Sequence, residues 1–227
     1  VLDKTGTFVL LNNKELIRLC MDKWKFYQKL VENNYKGAIK TSISPNLNGF
    51  NFPILLKPRC STGSKGIVKI ETAEEFDKYK HSIGNHLMVQ EIVGNNDEEY
   101  TSSAFFNENS ELLAYMCLKR KLSKQGFTEI AQVENPTGLL DEMLKLAAIF
   151  KPVGPTNFQF RKHNGNWKLL EINPRISSSS SYNLIIFPFI VPFRISLYIF
   201  AISIACLFSI IASSIISSSS SYNLIID

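Results

Sequence analysis

The stretch Leu169-Leu170-Glu171-Ile172-Asn173-Pro174-Arg175 decides how the chain is read. It follows the turn signal Asn164-Gly165-Asn166, and the run Trp167-Lys168-Leu169-Leu170 enters it as a strand of a buried sheet. Side chains alternate along a strand, so Glu171 and Asn173 are expected on one face and Leu170 and Ile172 on the other. Two hard oxygen donors then share one space, a set better suited to Mg²⁺ than to Zn²⁺. Pro174 ends the ladder, which lets Arg175 turn back towards an anion. A strand end with solvated polar residues would read the same way, so the meaning of the stretch depends on what precedes it.

Working outward, Asn157-Phe158-Gln159-Phe160-Arg161 is a second strand, and His163-Asn164-Gly165 closes a hairpin between the two. Gln159 can therefore lie beside Glu171 or Asn173 and supply a third polar ligand. Leu139 to Phe150 has the spacing of an amphipathic helix, broken by Gly154-Pro155. Further upstream, Glu98-Glu99-Tyr100-Thr101 opens a strand running to Phe106, and Glu111 to Lys119 pairs with it as a hairpin. The run Lys119-Arg120-Lys121 reads by itself as a solvated basic face.

Leu87-Met88-Val89-Gln90-Glu91-Ile92-Val93 is another strand, ended by Gly94. Before it, Phe52-Pro53-Ile54-Leu55-Leu56-Lys57-Pro58 and Ile67-Val68-Lys69-Ile70 flank the loop Arg59-Cys60-Ser61-Thr62-Gly63-Ser64-Lys65-Gly66. A small-residue loop between two strands can fold over a phosphate with unobstructed backbone N–H groups, and Lys57 adds a point charge. Its glycine spacing is not that of a Walker A loop. Thr72-Ala73-Glu74-Glu75 has the form of a capping box. At the start, Asn12-Asn13-Lys14-Glu15 opens a helix whose apolar positions run from Leu16 to Leu30, with Asp22-Lys23 as a charged pair upon it.

In this order the motifs resemble the ATP-grasp superfamily, and most closely its carbamoyl-phosphate synthase large-subunit-like branch. The matching residues are Asp22-Lys23, Ile54 to Pro58 with Gly63-Ser64-Lys65-Gly66, Val89-Gln90-Glu91, Glu99-Tyr100-Thr101, Lys119-Arg120-Lys121, Asn157-Phe158-Gln159 and Glu171 to Arg175. They cover roughly residues 10–180. The resemblance implies an α+β fold of two subdomains clamping ATP. It implies that Lys23 and Lys57 contact the phosphates beneath Gly63, Ser64 and Gly66, and that the backbone of Gln90, Glu91, Ile92 and Val93 meets adenine. It further implies that Glu99 binds the ribose, that Gln159, Glu171 and Asn173 hold Mg²⁺ (or Mn²⁺), and that Arg175 and Lys57 serve the phosphoryl transfer. The implied activity is that of an ATP-dependent carboxylate-amine or related ligase, acting on a small carboxylate-type substrate through an acyl phosphate. Members of the branch carry a further α/β domain ahead of the position of Asn12, and on this resemblance the chain is expected to lack it. A truncated nonenzymatic nucleotide-binding remnant, or a membrane-anchored interaction module, is the alternative.

The formal charge of +5, with basic and acidic residues interspersed, argues against a dedicated nucleic-acid binder. Four cysteines without paired metal spacing suit a reducing, cytoplasmic setting, and with no basic-then-apolar leader in the sequence no signal peptide is expected. The expected organisation is a leading strand and helix packed on the large subdomain (1–33), a small subdomain with the Gly/Ser loop (34–93) and a large subdomain with the metal site (94–183). A hydrophobic segment (184–216) and a short repeat tail (217–227) follow. Residues 195–216 contain no charge and are long enough to span a bilayer. They form a candidate transmembrane helix, with Arg194 favouring a cytoplasmic ATP-grasp part. The sequence Ile-Ser-Ser-Ser-Ser-Ser-Tyr-Asn-Leu-Ile-Ile stands both at 176–186 and at 216–226. Three readings of this tail are open: an anchor, a buried helix of an altered fold, or a duplicated or misassembled end.

Overall fold

The computed structural model describes residues 11–61, 65–122 and 128–176, which lie in the first of two compact units, residues 1–176. The hydrophobic segment, the repeat and the candidate membrane helix lie outside the described residues. No helix among the described residues is long and apolar enough to cross a membrane.

Two helices come first, α1 (Lys14–Met21) and α2 (Lys23–Glu32). The sequence suggested one continuous helix here, and the structure breaks it at Asp22. That residue is extended (φ −115°, ψ 104°), and its carboxylate accepts from the Trp24 and Lys25 amides, so it ends α1 and caps α2. Asn13 caps α1 through Leu16 N at 2.7 Å. Its neighbour Asn12 is buried, donating to Thr156 Oγ1 at 2.8 Å and accepting from Val153 N at 3.0 Å.

A four-stranded antiparallel sheet follows, in the order β1-β4-β2-β3, built from β1 (Thr41–Ser42), β2 (Ile54–Pro58), β3 (Val68–Ile70) and β4 (Leu87–Glu91). Between β3 and β4 lies α3 (Ala73–Asp77), capped by Thr72 as its capping-box sequence predicts. Ile54, Leu56, Ile70 and Val89 bury one face of the sheet with Phe76 and Ile83. Alternation along β2 then turns Leu55 and Lys57 to the opposite face.

The second sheet is five-stranded and antiparallel, in the order β7-β6-β5-β8-β9, from β5 (Glu99–Phe106), β6 (Leu112–Leu122), β7 (Thr128–Val133), β8 (Gly154–His163) and β9 (Asn166–Asn173). Helix α4 (Leu139–Phe150) connects β7 to β8. Tyr100, Phe106, Phe158, Phe160, Trp167, Leu169 and Ile172 form one core with Met143 and Leu146 of α4, Leu16 of α1, and Phe26 and Leu30 of α2. One face of this sheet is thus covered by helices. The other carries Glu99, Thr101 and Ser103 of β5 beside Arg161, Gln159 and Asn157 of β8, in that pairing.

The β8–β9 register contains an irregularity that corrects the alternation expected from sequence. Phe160 pairs with Leu169, but Gln159 pairs with Glu171, so Leu170 is an extra residue between them. Leu169 is 2% exposed and joins the core with Ile172, whereas Leu170 is only partly buried. Without the bulge, strict alternation would turn Glu171 to the same side as Leu169, into apolar surroundings. With it, Trp167, Leu169 and Ile172 face the core while Glu171 and Asn173 face away.

Leu169→Ala should therefore cost about 3 kcal/mol of stability, within the range for a fully buried leucine, and Leu170→Ala well under half of that. Urea unfolding midpoints of the two variants check the assignment; equal losses would contradict the bulge.

Candidate functional site

The polar faces of the two sheets share one space, which the charges reveal. Lys57, on β2 of the small sheet, has its ammonium pushed down to about 8 by burial, with Lys23 and Arg161 nearby adding to the shift. Glu171 and Glu99, on the large sheet, pull the other way. Lys23, at the start of α2, is also lowered by burial and also senses Glu171. The thiol of Cys20, on the last turn of α1, is raised to about 12 by burial and then by Glu171. A single carboxylate at the end of β9 thus lies within electrostatic reach of two lysines and of the α1–α2 junction.

The geometry around Glu171 follows from the register. Gln159 is its direct cross-strand partner and Asn157 is that of Asn173. Asn173 Nδ2 donates to Glu171 Oε1 at 2.8 Å, so the two side chains share a face as the sequence led one to expect. Gln159, Glu171 and Asn173 are all half-buried. Beneath them Asn157 is fully buried, donating to Thr101 Oγ1 at 2.8 Å and to Ser103 Oγ at 3.0 Å. Such a satisfied network fixes the strands on which these donors stand. Among the described residues no group of three or more His, Cys, Asp and Glu could hold a metal. The set here is one carboxylate and two amides, all oxygen donors, which fits a hard cation that completes its shell with water and phosphate.

Opposite this set, Lys23 Nζ donates to Ser61 O at 2.9 Å and to Ser61 Oγ at 3.0 Å, reaching the start of the Gly/Ser loop. Gly63 and Ser64 lie outside the described residues. Gly66 has φ +75°, and a Cβ there would stand 2.9 Å from Pro58 Cγ, so Gly66 packs against the end of β2.

Other expected positions are placed differently. Glu99 is 3% exposed, and its carboxylate is engaged by Arg120 and by Arg161, the latter at 2.8 and 3.0 Å. A ribose would meet it only by entering a buried ion pair with two guanidinium groups. Gln90 spends its side chain on Thr41 Oγ1 at 3.0 Å, and β4 is flanked by β1 and β2 as far as Glu91. Of the residues Gln90, Glu91, Ile92 and Val93, only the last two lie beyond the strand and its ladder. Arg175 is exposed, with Nη1 donating to the Ile176 carbonyl at 3.2 Å. Arg161 and Arg59 were not singled out by their sequence context. Arg161 could have been, since it stands two residues beyond Gln159 on the same strand face.

A helix-backed antiparallel sheet with metal-type donors on its other face, within electrostatic reach of a lysine of a smaller sheet, is the architecture of the ATP-grasp fold. Comparison with known proteins agrees. Residues 85–185 match a family model described as ATP-grasp in the biosynthetic pathway with Ter operon. The carbamoyl phosphate synthase arginine-specific large chain of Bacillus subtilis (strain 168) is 22% identical over 194 residues, 78% of this chain and 18% of that one. Among solved structures, biotin carboxylase of Campylobacter jejuni superposes with a TM-score of 0.67 at 14% identity, over 82% of this chain and 47% of that one. The biotin carboxylase domain of Hydrogenobacter thermophilus 2-oxoglutarate carboxylase, solved with MgADP, ADP and bicarbonate, does so at 0.64 and 14%, over 79% and 45%. The chain thus has the ATP-grasp fold, and part of it is similar to ATP-grasp proteins that include a carbamoyl phosphate synthase large chain. It spans less than half the length of each of these three proteins.

Because Glu171 holds the Lys57 ammonium up against burial, Glu171→Gln should lower the Lys57 pKa below about 8. Lysine-resolved NMR titration of the full chain reads this directly; an unchanged or raised value would separate the two residues.

Proposed function

We propose that the chain binds MgATP in the cleft between its two sheets and serves an ATP-dependent ligase. In that reaction a carboxylate-type substrate is activated as an acyl phosphate and then attacked by an amine or a related nucleophile. The observation that carries the reading is the opposition of two partly desolvated lysines, Lys57 and Lys23, to the donor set Gln159, Glu171 and Asn173. Cations and metal-type oxygens brought together around one space suit a polyphosphate lying among them with its divalent ion. The ATP-grasp fold and the likeness to nucleotide-bound biotin carboxylase structures support it.

Each part has a chemical task. Phosphoryl transfer needs charge neutralisation and alignment more than covalent help. Gln159, Glu171 and Asn173 would hold Mg²⁺ (or Mn²⁺), which when bound would supply positive charge against the phosphates. Lys57 and Lys23 would supply two further positive charges, and the backbone N–H groups of Gly63, Ser64 and Gly66 would serve the phosphates. Ile92 and Val93, leaving the small sheet where its ladder ends, have main-chain groups suited to an adenine edge. Glu99, with Arg120 and Arg161, would stand at the ribose side as a charged cluster rather than as a lone acceptor. Arg175 would act on the transferred group after moving away from the Ile176 carbonyl.

MgATP should raise the thermal midpoint of the purified full chain, and Glu171→Ala should weaken that binding at least about tenfold. Failure of MgATP to protect the intact chain would sink the nucleotide assignment. Protection without ADP release across a panel of carboxylate acceptors would retain binding and remove the ligase.

Binding should also depend on pH with a defined sign. A polyphosphate prefers the charged form of Lys57, whose pKa lies near 8, so affinity should fall as pH rises through about 8. Lys57→Arg keeps its charge across this range and should flatten the profile. Isothermal titration of MgATP between pH 7 and pH 9 checks both.

A further inference from the structure

The α1–α2 junction meets the end of β2 in a contact that the roles above leave unused. Arg59 Nη2 donates to Asp22 Oδ2 at 2.7 Å and Arg59 Nε to Asp22 Oδ1 at 3.4 Å, while Nη1 reaches the Gly84 carbonyl at 3.2 Å. The main chain joins in: Lys23 N–H donates to Arg59 O at 3.0 Å, and Arg59 N–H to His86 O at 2.9 Å. The paired side chains are 25% and 15% exposed, and a two-pronged charged contact that is largely shielded from water holds its geometry better than a surface pair. Burial alone would raise the Asp22 carboxyl, but Arg59 and the capped amides of Lys25 and Trp24 hold it below its ordinary range.

The contact joins two different cores. Helix α2 belongs through Phe26 and Leu30 to the large-sheet core, and β2 belongs through Ile54 and Leu56 to the small-sheet core. Each partner also neighbours a cleft lysine, since Lys23 follows Asp22 and Lys57 precedes Arg59 by two residues. Ser61, which receives the Lys23 ammonium, is two residues beyond Arg59. Long lysine side chains lose much rotamer freedom when ordered, so fixing their backbones in advance lessens the cost of engaging a ligand.

We propose that Arg59 is a positioning residue of the cleft: through Asp22 it clamps the start of α2 to the end of β2, and thereby holds Lys23 and Lys57 at the separation a polyphosphate requires. The inference rests on the nucleotide-binding reading above. Arg59 acts through Lys23 and not by direct contact, because its guanidinium is already divided between the Asp22 carboxylate and the Gly84 carbonyl.

The test has one arm without nucleotide and one with it. In the nucleotide-free full chain, Arg59→Ala should speed hydrogen exchange at the Lys23 amide about tenfold. Asp22→Asn, which keeps an acceptor for the helix amides, should act in the same direction, and Arg59→Lys should fall between. An unchanged Lys23 amide in Arg59→Ala overturns the proposal whatever the nucleotide does. With MgATP, titration calorimetry should show Arg59→Ala weakening binding about tenfold and the Lys23→Ala/Arg59→Ala pair no weaker than Lys23→Ala alone. Additive losses make Arg59 an independent ligand and overturn it. Faster exchange in Arg59→Ala, with no MgATP binding by the unaltered chain, supports the clamp and overturns the nucleotide reading.

Discussion

The bulge at Leu170 is the constraint on which the rest of the structure depends. A strand offers two faces in strict alternation, and β9 must bury Trp167 and Leu169 at one end while exposing Glu171 and Asn173 at the other. These four residues share one parity, so no regular strand can satisfy both demands. Burying a carboxylate without a partner would cost several kcal/mol, more than one irregularity in a ladder. The extra residue reverses the parity between Leu169 and Glu171 and sets Gln159 directly opposite Glu171. Core and site are thus reconciled within one strand.

Electrostatics then determines how the faces can be used. Glu171 is the carboxylate common to Lys23, Lys57 and Cys20, and its charge opposes the burial that discourages two ammonium groups from standing close together. The neighbouring cluster works differently. Glu99 is surrounded by Arg120 and Arg161, a buried arrangement in which two cations exceed one anion. Removing one partner from such a cluster is far more damaging than its net contribution suggests, which makes it a rigid floor for the cleft.

Much of this was legible in the sequence. The hairpin of β8 and β9, the strand containing Lys57, the capping box at Thr72 and helix α4 all have local signals, and each appears where its signal falls. The bulge has no such signal, because Leu169 and Leu170 are equally apolar and only the fixed pairing with Phe160 selects which is buried. Asp22 looked like a charge on a helix surface. Its role as a helix break required Arg59, distant in sequence, to hold its carboxylate. The destination of Glu99 was hidden for the same reason: which cations meet it depends on the neighbours of β5, and those are set by sheet order rather than by any local motif. Strand β7 was missed, its Ile130 and Val133 being largely exposed and giving no burial pattern to read.

The path between the two sheets adds a second fixed point. The chain leaves β4 and enters β5 by way of Gly94, which has φ +60° and donates its N–H to His163 Nδ1 at 3.0 Å. A Cβ at this position would lie 2.3 Å from the Lys162 carbonyl, so only glycine brings the crossover so near the end of β8. The crossover is thereby tied to the β8–β9 hairpin, while the Asp22–Arg59 contact ties β2 to α2 elsewhere. One attachment alone would permit a sheet to pivot; these contacts, together with the hydrogen bonds from Leu169 N to Gly37 O and from Lys168 Nζ to Lys36 O and Ala38 O, hold the small sheet at several points. The spacing of its lysines and oxygen donors is in this sense a property of the whole unit, encoded in a glycine and an ion pair that need not touch any ligand.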